Sequence, residues 1–283
     1  MSAKGFDRCL NCGGPLNGPF CSSCGQRVVP PNPTVAELTG DAWQELSGFD
    51  GRILATVRGL ARPGFLTREY LGGRRAHYLP PVRVYLFVSV LYFVVAAAAP
   101  TLDAGGSELV VPGVRIGLSG SSSDPMVTQQ EREEILARLH ESPRLVRPVI
   151  RAMAEDPAGL RARIFTTLPR VFFAMLPVFA AIVALFFRGR TFPTALVFAV
   201  HVHAFAFLAL TITEVAKFSE SRAVALVASG AVLLALVTYV LRAFRAVYGG
   251  SWVAITGKSL AIGVVYLLAS LPAFLAALIW AAM

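Results

Sequence analysis

Five long runs of uncharged, mostly apolar residues dominate the pattern along the chain. They predict transmembrane helices at residues 82–99, 168–187, 191–213, 223–241 and 259–283. A helix needs roughly 17–25 residues to cross the hydrocarbon core. One such run could form a buried helix of a soluble protein, but five cannot, because too little polar sequence remains to cover them. The pattern therefore predicts a mainly α protein, a polytopic membrane helical bundle with five spans.

The polar parts of the chain form three segments around these runs. Residues 1–28 contain the cysteines, residues 29–81 are predicted to be a cytoplasmic helical and basic juxtamembrane segment, and residues 100–167 form an external loop. In the second segment, Thr34 opens a capping box that predicts a helix start. A further short helix is predicted over residues 52–61.

The long loop after the first run carries signals of its own. Apolar residues alternate weakly over residues 107–123, which predicts a short hairpin. Asp124-Pro125 is a typical helix start and predicts an amphipathic helix, with a second helical stretch over residues 145–154. After Asp156-Pro157, a helix is predicted to continue into the second span.

Composition favours a membrane protein over other classes. The 283 residues are 55% hydrophobic and 15% charged, with a net charge of +9. Disordered proteins and coiled coils need far more charge. A basic soluble protein would suggest a nucleic-acid partner, but the low charged fraction favours the lipid bilayer, with anionic lipids attracted by the excess Lys and Arg. No nucleic-acid partner is expected, and a protein partner or a homo-oligomer remains open.

The distribution of Lys and Arg predicts the orientation in the membrane. Ten, from Lys4 to Arg83, precede the uncharged part of the first run, which begins at Val84. The two short loops on the same side contain Arg188, Arg190, Arg242, Arg245 and Lys258. Because Lys and Arg favour the cytoplasmic side, the N-terminus is predicted to be cytoplasmic and the C-terminus external. The preference for Arg over Lys is typical of GC-rich bacterial genomes, so the predicted location is a bacterial inner membrane.

All four cysteines lie near the N-terminus in two C-x-x-C pairs, Cys9 with Cys12 and Cys21 with Cys24. Two such pairs can place four thiolates around one Zn²⁺, and the glycine after each pair allows a tight turn. The spacing predicts a small Cys₄ zinc ribbon with a structural metal, since four cysteine ligands leave no open coordination position. Two disulfides, a redox dithiol and an iron–sulfur cluster are the alternatives.

Two histidines, His201 and His203, lie inside the third run, about ten residues or 15 Å of helix from its start. Ionisable groups at this depth are costly and are candidate functional residues. Residues two apart on a helix point in nearly opposite directions, so the pair is not expected to bind one metal ion. The position allows a neutral histidine bonded to a neighbouring helix, a proton relay or ligand gate, or metal catalysis.

Two stretches beside the predicted spans mix arginine with tyrosine. They contain Arg74, Arg75 and Tyr78 before the first span, and Arg242, Arg245 and Tyr248 after the fourth. Arginine pairs with anionic headgroups and tyrosine prefers the membrane boundary, so these are candidate lipid-contacting residues. A basic flank without lipid specificity is the alternative.

Several short motifs follow one another along the chain. They are Cys9-x-Asn11-Cys12-Gly13, Phe20-Cys21-x-x-Cys24-Gly25-Gln26, Pro63-Gly64, Tyr70-Leu71-x-Gly73-Arg74-Arg75, Tyr78-x-x-Pro81, Val197-Phe198-Ala199-x-His201-x-His203-x-Phe205 and Tyr248-Gly249. In this order they resemble the bacterial membrane protein family called domain of unknown function 3667. The resemblance implies an N-terminal zinc ribbon followed by a multi-span membrane domain, and a role for His201 and His203. It implies no reaction.

The sequence contains no P-loop, zinc-protease, serine-hydrolase or paired-carboxylate motif, so no enzymatic activity is predicted. The favoured function is a non-enzymatic membrane scaffold or regulatory protein, whose cytoplasmic zinc ribbon and basic segment bind a partner or gate the bundle. A small transporter or channel-like protein that uses the two histidines is the main alternative. A membrane enzyme that modifies lipids is a weaker one.

Overall fold

The structure is a computed structural model that describes residues 7–28, 52–100, 108–111, 114–117 and 129–283. The predicted helix at Thr34 and the helix start at Asp124-Pro125 lie outside the described residues. The described part is mainly α-helical, in agreement with the predicted fold class.

The described elements are named in chain order. They are α1 (Arg52–Leu60), α2 (Phe65–Leu71), α3 (Pro81–Ala98), β1 (Glu108–Val111), β2 (Val114–Gly117), α4 (Gln129–Ala137), α5 (Arg147–Glu155), α6 (Pro157–Phe186), α7 (Phe192–Lys217), α8 (Arg222–Tyr248) and α9 (Trp252–Ala282). A 3₁₀ turn at Leu139–Glu141 separates α4 from α5. The strands β1 and β2 form an antiparallel hairpin with Leu109 opposite Ile116.

Five helices, α3 and α6 to α9, are long and apolar enough to cross a membrane. Three extend well beyond the apolar runs, since α6 begins at Pro157, α8 continues to Tyr248 and α9 begins at Trp252. At the start of α6, Asp156 Oδ1 accepts a hydrogen bond of 2.8 Å from the N–H of Gly159, and proline suits the first helical position. Hydropathy thus locates the apolar part of each helix, while capping sets where the helix begins.

The five long helices differ in burial. In α7, 61% of the most apolar stretch is buried, against 11% in α8 and in α9. Large apolar side chains along α8 and α9 are exposed, including Leu226, Val227, Leu233, Leu234, Leu260, Leu267 and Leu268. Apolar surface of this extent is expected where helices face lipid. These helices are therefore compatible with a multi-pass membrane protein.

The chain forms two compact units. The first comprises residues 1–91, 176–210 and 232–266, and the second comprises residues 92–175, 211–231 and 267–283. In the first unit, the largest fully buried side chains include Tyr85, Phe198 and Phe244. In the second unit, Arg163 Nε donates a hydrogen bond of 2.6 Å to the carbonyl of Ala281. The cysteines and both intramembrane histidines belong to the first unit.

Candidate metal centre and the segment that it contacts

Each C-x-x-C pair folds into a tight turn with the same backbone hydrogen bond. In the first turn, the N–H of Gly13 donates to the carbonyl of Cys9 at 2.8 Å. In the second, the N–H of Gly25 donates to the carbonyl of Cys21 at 2.8 Å. Both glycines have positive φ, 75° and 70°, which residues with a side chain adopt only with strain. The glycine after each pair is therefore part of the turn, as the sequence predicts.

The two turns bring the four cysteine sulfurs together. Cys9 Sγ lies 3.7 Å from Cys24 Sγ, across the two turns. Cys12 Sγ lies 3.5 Å from Cys21 Sγ, and all four sulfurs lie within 4.8 Å of one another. A disulfide bond is only about 2.05 Å long, whereas a tetrahedral shell with metal–sulfur bonds of about 2.3 Å has sulfur–sulfur edges of about 3.8 Å. The four free cysteines can therefore hold one metal ion.

Local hydrogen bonds shift the pKa of two of these thiols in opposite directions. The backbone N–H groups of Ser23 and Cys24 lower the pKa of the Cys21 thiol to about 6. At Cys12, a backbone hydrogen bond at Gly14 lowers the pKa of the thiol. Hydrogen bonds with the neighbouring thiols together have a larger effect in the opposite direction, so the pKa is raised to about 12. The Cys12 thiol therefore resists ionisation unless a cation neutralises its negative charge.

The cysteine module, residues 7–28, contacts the segment before the first span mainly through Gln26. Its side-chain Nε2 donates a hydrogen bond of 2.7 Å to the carbonyl of Gly73. Its Oε1 accepts hydrogen bonds from the N–H of Arg75 at 3.0 Å and of Ala76 at 3.1 Å. One side chain thus satisfies three backbone groups of residues 72–78, which we call the clamped segment.

Two further contacts support the same interface. The Leu10 side chain packs directly on Gly73, so close that a Cβ on Gly73 would lie 2.6 Å from Leu10 Cδ1. Asn11 Nδ2 lies 3.4 Å from His77 Nε2, within hydrogen-bond reach. Residues from the first C-x-x-C turn and from the end of the second therefore contact the clamped segment together.

The clamped segment lies between α2 and α3, and Leu79, which directly follows it, is hydrogen-bonded to α1. Thr56 Oγ1 in α1 accepts a hydrogen bond of 2.9 Å from the N–H of Leu79. In α2, Leu66 and Tyr70 are buried, and Tyr70 packs against Val197 of α7. The sequence predicts the stretch around Arg74, Arg75 and Tyr78 as a lipid-contacting surface or a basic flank without lipid specificity, and it does not predict that Tyr70 of α2 packs on a long helix.

His201 faces α2. It is 3% exposed, and its Nδ1 shares a hydrogen bond of 3.0 Å with Thr67 Oγ1. Thr67 is itself buried. This contact joins the juxtamembrane helix to the middle of α7 through two polar side chains inside the protein.

His203 faces α6 and α9 instead. Its Nδ1 lies 2.8 Å from the carbonyl oxygen of Ala199, and its Nε2 lies 3.1 Å from the Tyr266 hydroxyl. The ring of Phe179 packs edge-on against both aromatic partners, with centroid separations of 5.0 Å to His203 and 5.0 Å to Tyr266. The two histidines therefore contact different helices, and no described carboxylate or thiol joins either of them in a metal-binding group.

A cavity of about 720 Å³ lies between the cysteine module and the juxtamembrane helices. Cys24, Gln26, Arg74, Tyr78 and His201 are among its lining residues. Beside the cavity, Arg74 forms a bidentate ion pair with Glu69, with distances of 2.7 and 2.6 Å. The hydrogen bonds from Arg74 lower the pKa of the Glu69 carboxyl, and Glu69 raises the pKa of Arg74.

The other predicted interface residues lie apart from the cavity. Arg242 is exposed, and the Arg245 guanidinium lies 4.2 Å from the centroid of the Trp252 ring. The Tyr248 ring stacks on Phe187 at a centroid separation of 4.3 Å. Tyr248 thus belongs to an aromatic cluster within the first unit.

Sequence reasoning did not assign roles to Gln26, Thr67 or Tyr266. Gln26 directly follows the second C-x-x-C-Gly turn, and its position beside the metal site and in the motif that ends this turn are the signals available for it. Thr67 and Tyr266 form hydrogen bonds with histidines far away in the sequence, and no local sequence pattern indicates such pairs.

The fold and site together define a helical membrane protein with an N-terminal module that can hold a metal ion. Residues 50–93 match the model of the family described as "Protein of unknown function (DUF3667)", the family that the sequence motifs resemble. The matched residues include α1, α2, the clamped segment and most of α3. No curated protein and no solved structure matches the chain.

Proposed function

We propose that this is a regulatory membrane protein in which a metal-loaded cysteine module clamps residues 72–78 beside the long helices. The observation that carries the proposal is the Gln26 side chain, which bonds to three backbone groups of the clamped segment. Loss of the metal would unfold the module, release the segment and change the packing of α2 on α7. The protein would then report metal or redox status as a change in its membrane domain.

The metal that best suits the module is zinc. Four thiolates in a tetrahedron are typical ligands of structural Zn²⁺, and they leave no position for a substrate. Cys9 and Cys21 are buried, although a module of this size has little other apolar core. Metal binding would therefore provide much of its folding free energy.

Gating by the module accounts for these contacts better than recruitment of a separate protein. Leu10, Asn11 and Gln26 already contact the chain's own juxtamembrane segment. A partner that used this face would have to displace those contacts. Of the two roles predicted for the module, which are to bind a partner or to gate the bundle, we therefore favour gating.

We further propose that the first unit faces the cytoplasm of a bacterial cell and that the C-terminus is external. The first unit contains fifteen Lys and Arg against six Asp and Glu, and the second unit contains eleven of each. The whole excess positive charge thus belongs to the unit with the cysteines. Such an asymmetry is expected when that unit lies on the cytoplasmic side.

The clamp is tested by hydrogen exchange on full-length, metal-loaded protein in neutral detergent micelles. We expect Gln26→Ala to retain the metal but to increase amide exchange in residues 72–78, because the N–H groups of Arg75 and Ala76 lose their acceptor. Gln26→Glu keeps the acceptor and loses the donor to Gly73, so an intermediate effect is expected.

The matched control is Asn17→Ala, which removes an exposed amide side chain from the same module. It should leave both metal content and exchange unchanged. The proposal is wrong if Gln26→Ala retains the metal and exchange in residues 72–78 equals that of the wild type.

A further inference from the structure

We propose that the cavity between the cysteine module and the juxtamembrane helices binds an uncharged, membrane-soluble quinone. The cavity measures about 720 Å³, within the range of about 300–1,000 Å³ that is typical of sites for organic ligands. Its described lining residues all belong to the first unit. The inference goes beyond the clamp and does not depend on gating by the metal, because it concerns what occupies the space beneath the module.

The buried imidazole of His201 is the first reason. His201 is 3% exposed, and its Nδ1 is bonded to Thr67. Its Nε2 has no hydrogen-bond partner among the described residues, yet this nitrogen is not one of the unpaired polar atoms that are fully enclosed by protein. Because His201 lines the cavity, Nε2 faces that space. A polar atom in this setting gains free energy from a ligand that bonds to it.

Tyr78 provides a second polar group in the same cavity. Its ring is held by edge-on contacts with Phe65, at a centroid separation of 5.9 Å, and with His77, at 6.5 Å. In the part of the chain that the structure describes, the Tyr78 hydroxyl forms no hydrogen bond. A ligand can therefore bond to Tyr78 without breaking an existing contact of this hydroxyl.

Both groups can act as donor or as acceptor. The Thr67 hydroxyl can itself donate or accept, so its bond to Nδ1 does not fix which nitrogen of His201 carries the proton. A tyrosine hydroxyl has the same freedom. The cavity can thus satisfy the two carbonyl oxygens of a quinone, which only accept, and also the two hydroxyl groups of the corresponding quinol.

The charges of the lining favour a neutral ligand. Arg74 is paired with Glu69, and Arg75 is bonded to a backbone carbonyl of α2 and lies over an aromatic ring of that helix. Arg27 and Arg52 also have interactions of their own. An anion would have to displace such contacts, whereas an uncharged molecule leaves them in place.

The apolar part of the wall suits a planar ring from the membrane. Leu66 and Leu79 line the cavity, and so does Phe20, whose ring is 59% exposed and can pack on another ring. Pro80 directly precedes α3, and His201 lies about 14 Å along α7 from its first residue. The cavity therefore adjoins the spanning helices, which favours a ligand that is dissolved in the bilayer.

Binding is tested on full-length, metal-loaded protein in phosphatidylcholine nanodiscs, with the quinone content of the bilayer varied. The probe is menaquinone with two isoprene units, and the comparison compound is the same molecule without its two ring oxygens. The protein carries ¹⁵N-labelled histidine, and the His201 signal is assigned by its loss in His201→Phe. We expect menaquinone to shift the Nε2 resonance of His201 saturably, and the compound without oxygens to cause no saturable shift.

Native mass spectrometry of the same nanodiscs measures occupancy in the variants. His201→Phe and Tyr78→Phe should each weaken binding by about threefold to tenfold, because each removes one hydrogen bond to the ligand. The matched controls are His203→Phe, which removes the other imidazole of α7, and Tyr248→Phe. Neither of these residues lines the cavity, so each control should change affinity by less than about twofold.

Metal content and thermal unfolding show whether each variant is folded. Tyr78→Phe keeps the proposal testable if His201→Phe does not fold, since the Tyr78 hydroxyl has no hydrogen bond to lose within the described residues. Dioctanoylglycerol, an uncharged lipid with oxygens but no ring, serves as a further probe. The proposal is overturned if dioctanoylglycerol or the compound without oxygens binds as tightly as menaquinone, if menaquinone does not saturate, or if Tyr78→Phe binds it as tightly as the wild type does.

Discussion

His203 is held by two contacts that together determine which ring nitrogen carries the proton. A carbonyl oxygen only accepts, so Nδ1 must donate to Ala199. In the neutral ring, Nε2 is then an acceptor, and the Tyr266 hydroxyl donates to it. The pair therefore joins α7 to α9 by a hydrogen bond with a defined direction.

We expect Tyr266→Phe to destabilise the protein by about 0.6 kcal/mol, the average measured for hydrogen bonds between membrane helices, and by no more than the measured maximum of about 1.7 kcal/mol. The control is Tyr248→Phe, because the Tyr248 hydroxyl is buried and has no hydrogen-bond partner among the described residues. This control should be neutral or slightly stabilising. Thermal unfolding in detergent compares the two, and equal effects would contradict the assigned hydrogen bond.

Residue-level features were predictable from the sequence only where the partners are close in the chain. The four cysteines lie within sixteen residues, so their spacing alone indicates a common metal site. The partner of His201 is 134 residues away and the partner of His203 is 63 residues away. Such pairs depend on how helices pack, which a single sequence does not encode locally.

At the scale of elements, α2 owes its position to a tight approach at its first turn. Gly64, directly before α2, has φ of 72°. A Cβ at this position would lie 3.0 Å from Ala246 Cβ and 3.1 Å from the carbonyl oxygen of Ala243. Because both atoms belong to α8, this glycine allows the juxtamembrane segment to contact that helix closely.

We expect Gly64→Ala to destabilise the protein by about 1–3 kcal/mol, because the side chain is strained at positive φ and crowds α8. The control is Gly257→Ala in α9 of the same unit, where an added Cβ meets no atom within 4 Å. There the substitution should stabilise the helix by about 0.5–1 kcal/mol. Denaturation in mixed micelles measures both, and a neutral Gly64→Ala would refute the close approach.

The long helices were predictable because each satisfies one strong requirement, an apolar length that spans the bilayer. The burial of α2 was not predictable from the sequence, since its seven residues mix arginine, glutamate and tyrosine with leucine and resemble an interfacial stretch. Its burial depends on α7 and α8, which follow more than a hundred residues later. Short elements are positioned by such distant contacts.

At the scale of the whole molecule, the charge distribution predicts a topology. An alkaline phosphatase fusion after Met283 should be active, because this reporter needs an oxidising compartment to form its disulfides. The same reporter after Gly189, between α6 and α7, should be inactive. Activity at Gly189 and none at Met283 would reverse the proposed orientation.

The central claim is that the metal-loaded module holds residues 72–78, and amide exchange at Arg75 and Ala76 tests it most directly. These two N–H groups donate to Gln26. Removal of the metal with a chelator should increase exchange at both amides, and added Zn²⁺ should restore protection. Metal analysis of the same samples follows occupancy, with about one zinc per chain expected before removal. Unchanged exchange at both amides in fully metal-free protein would contradict the account.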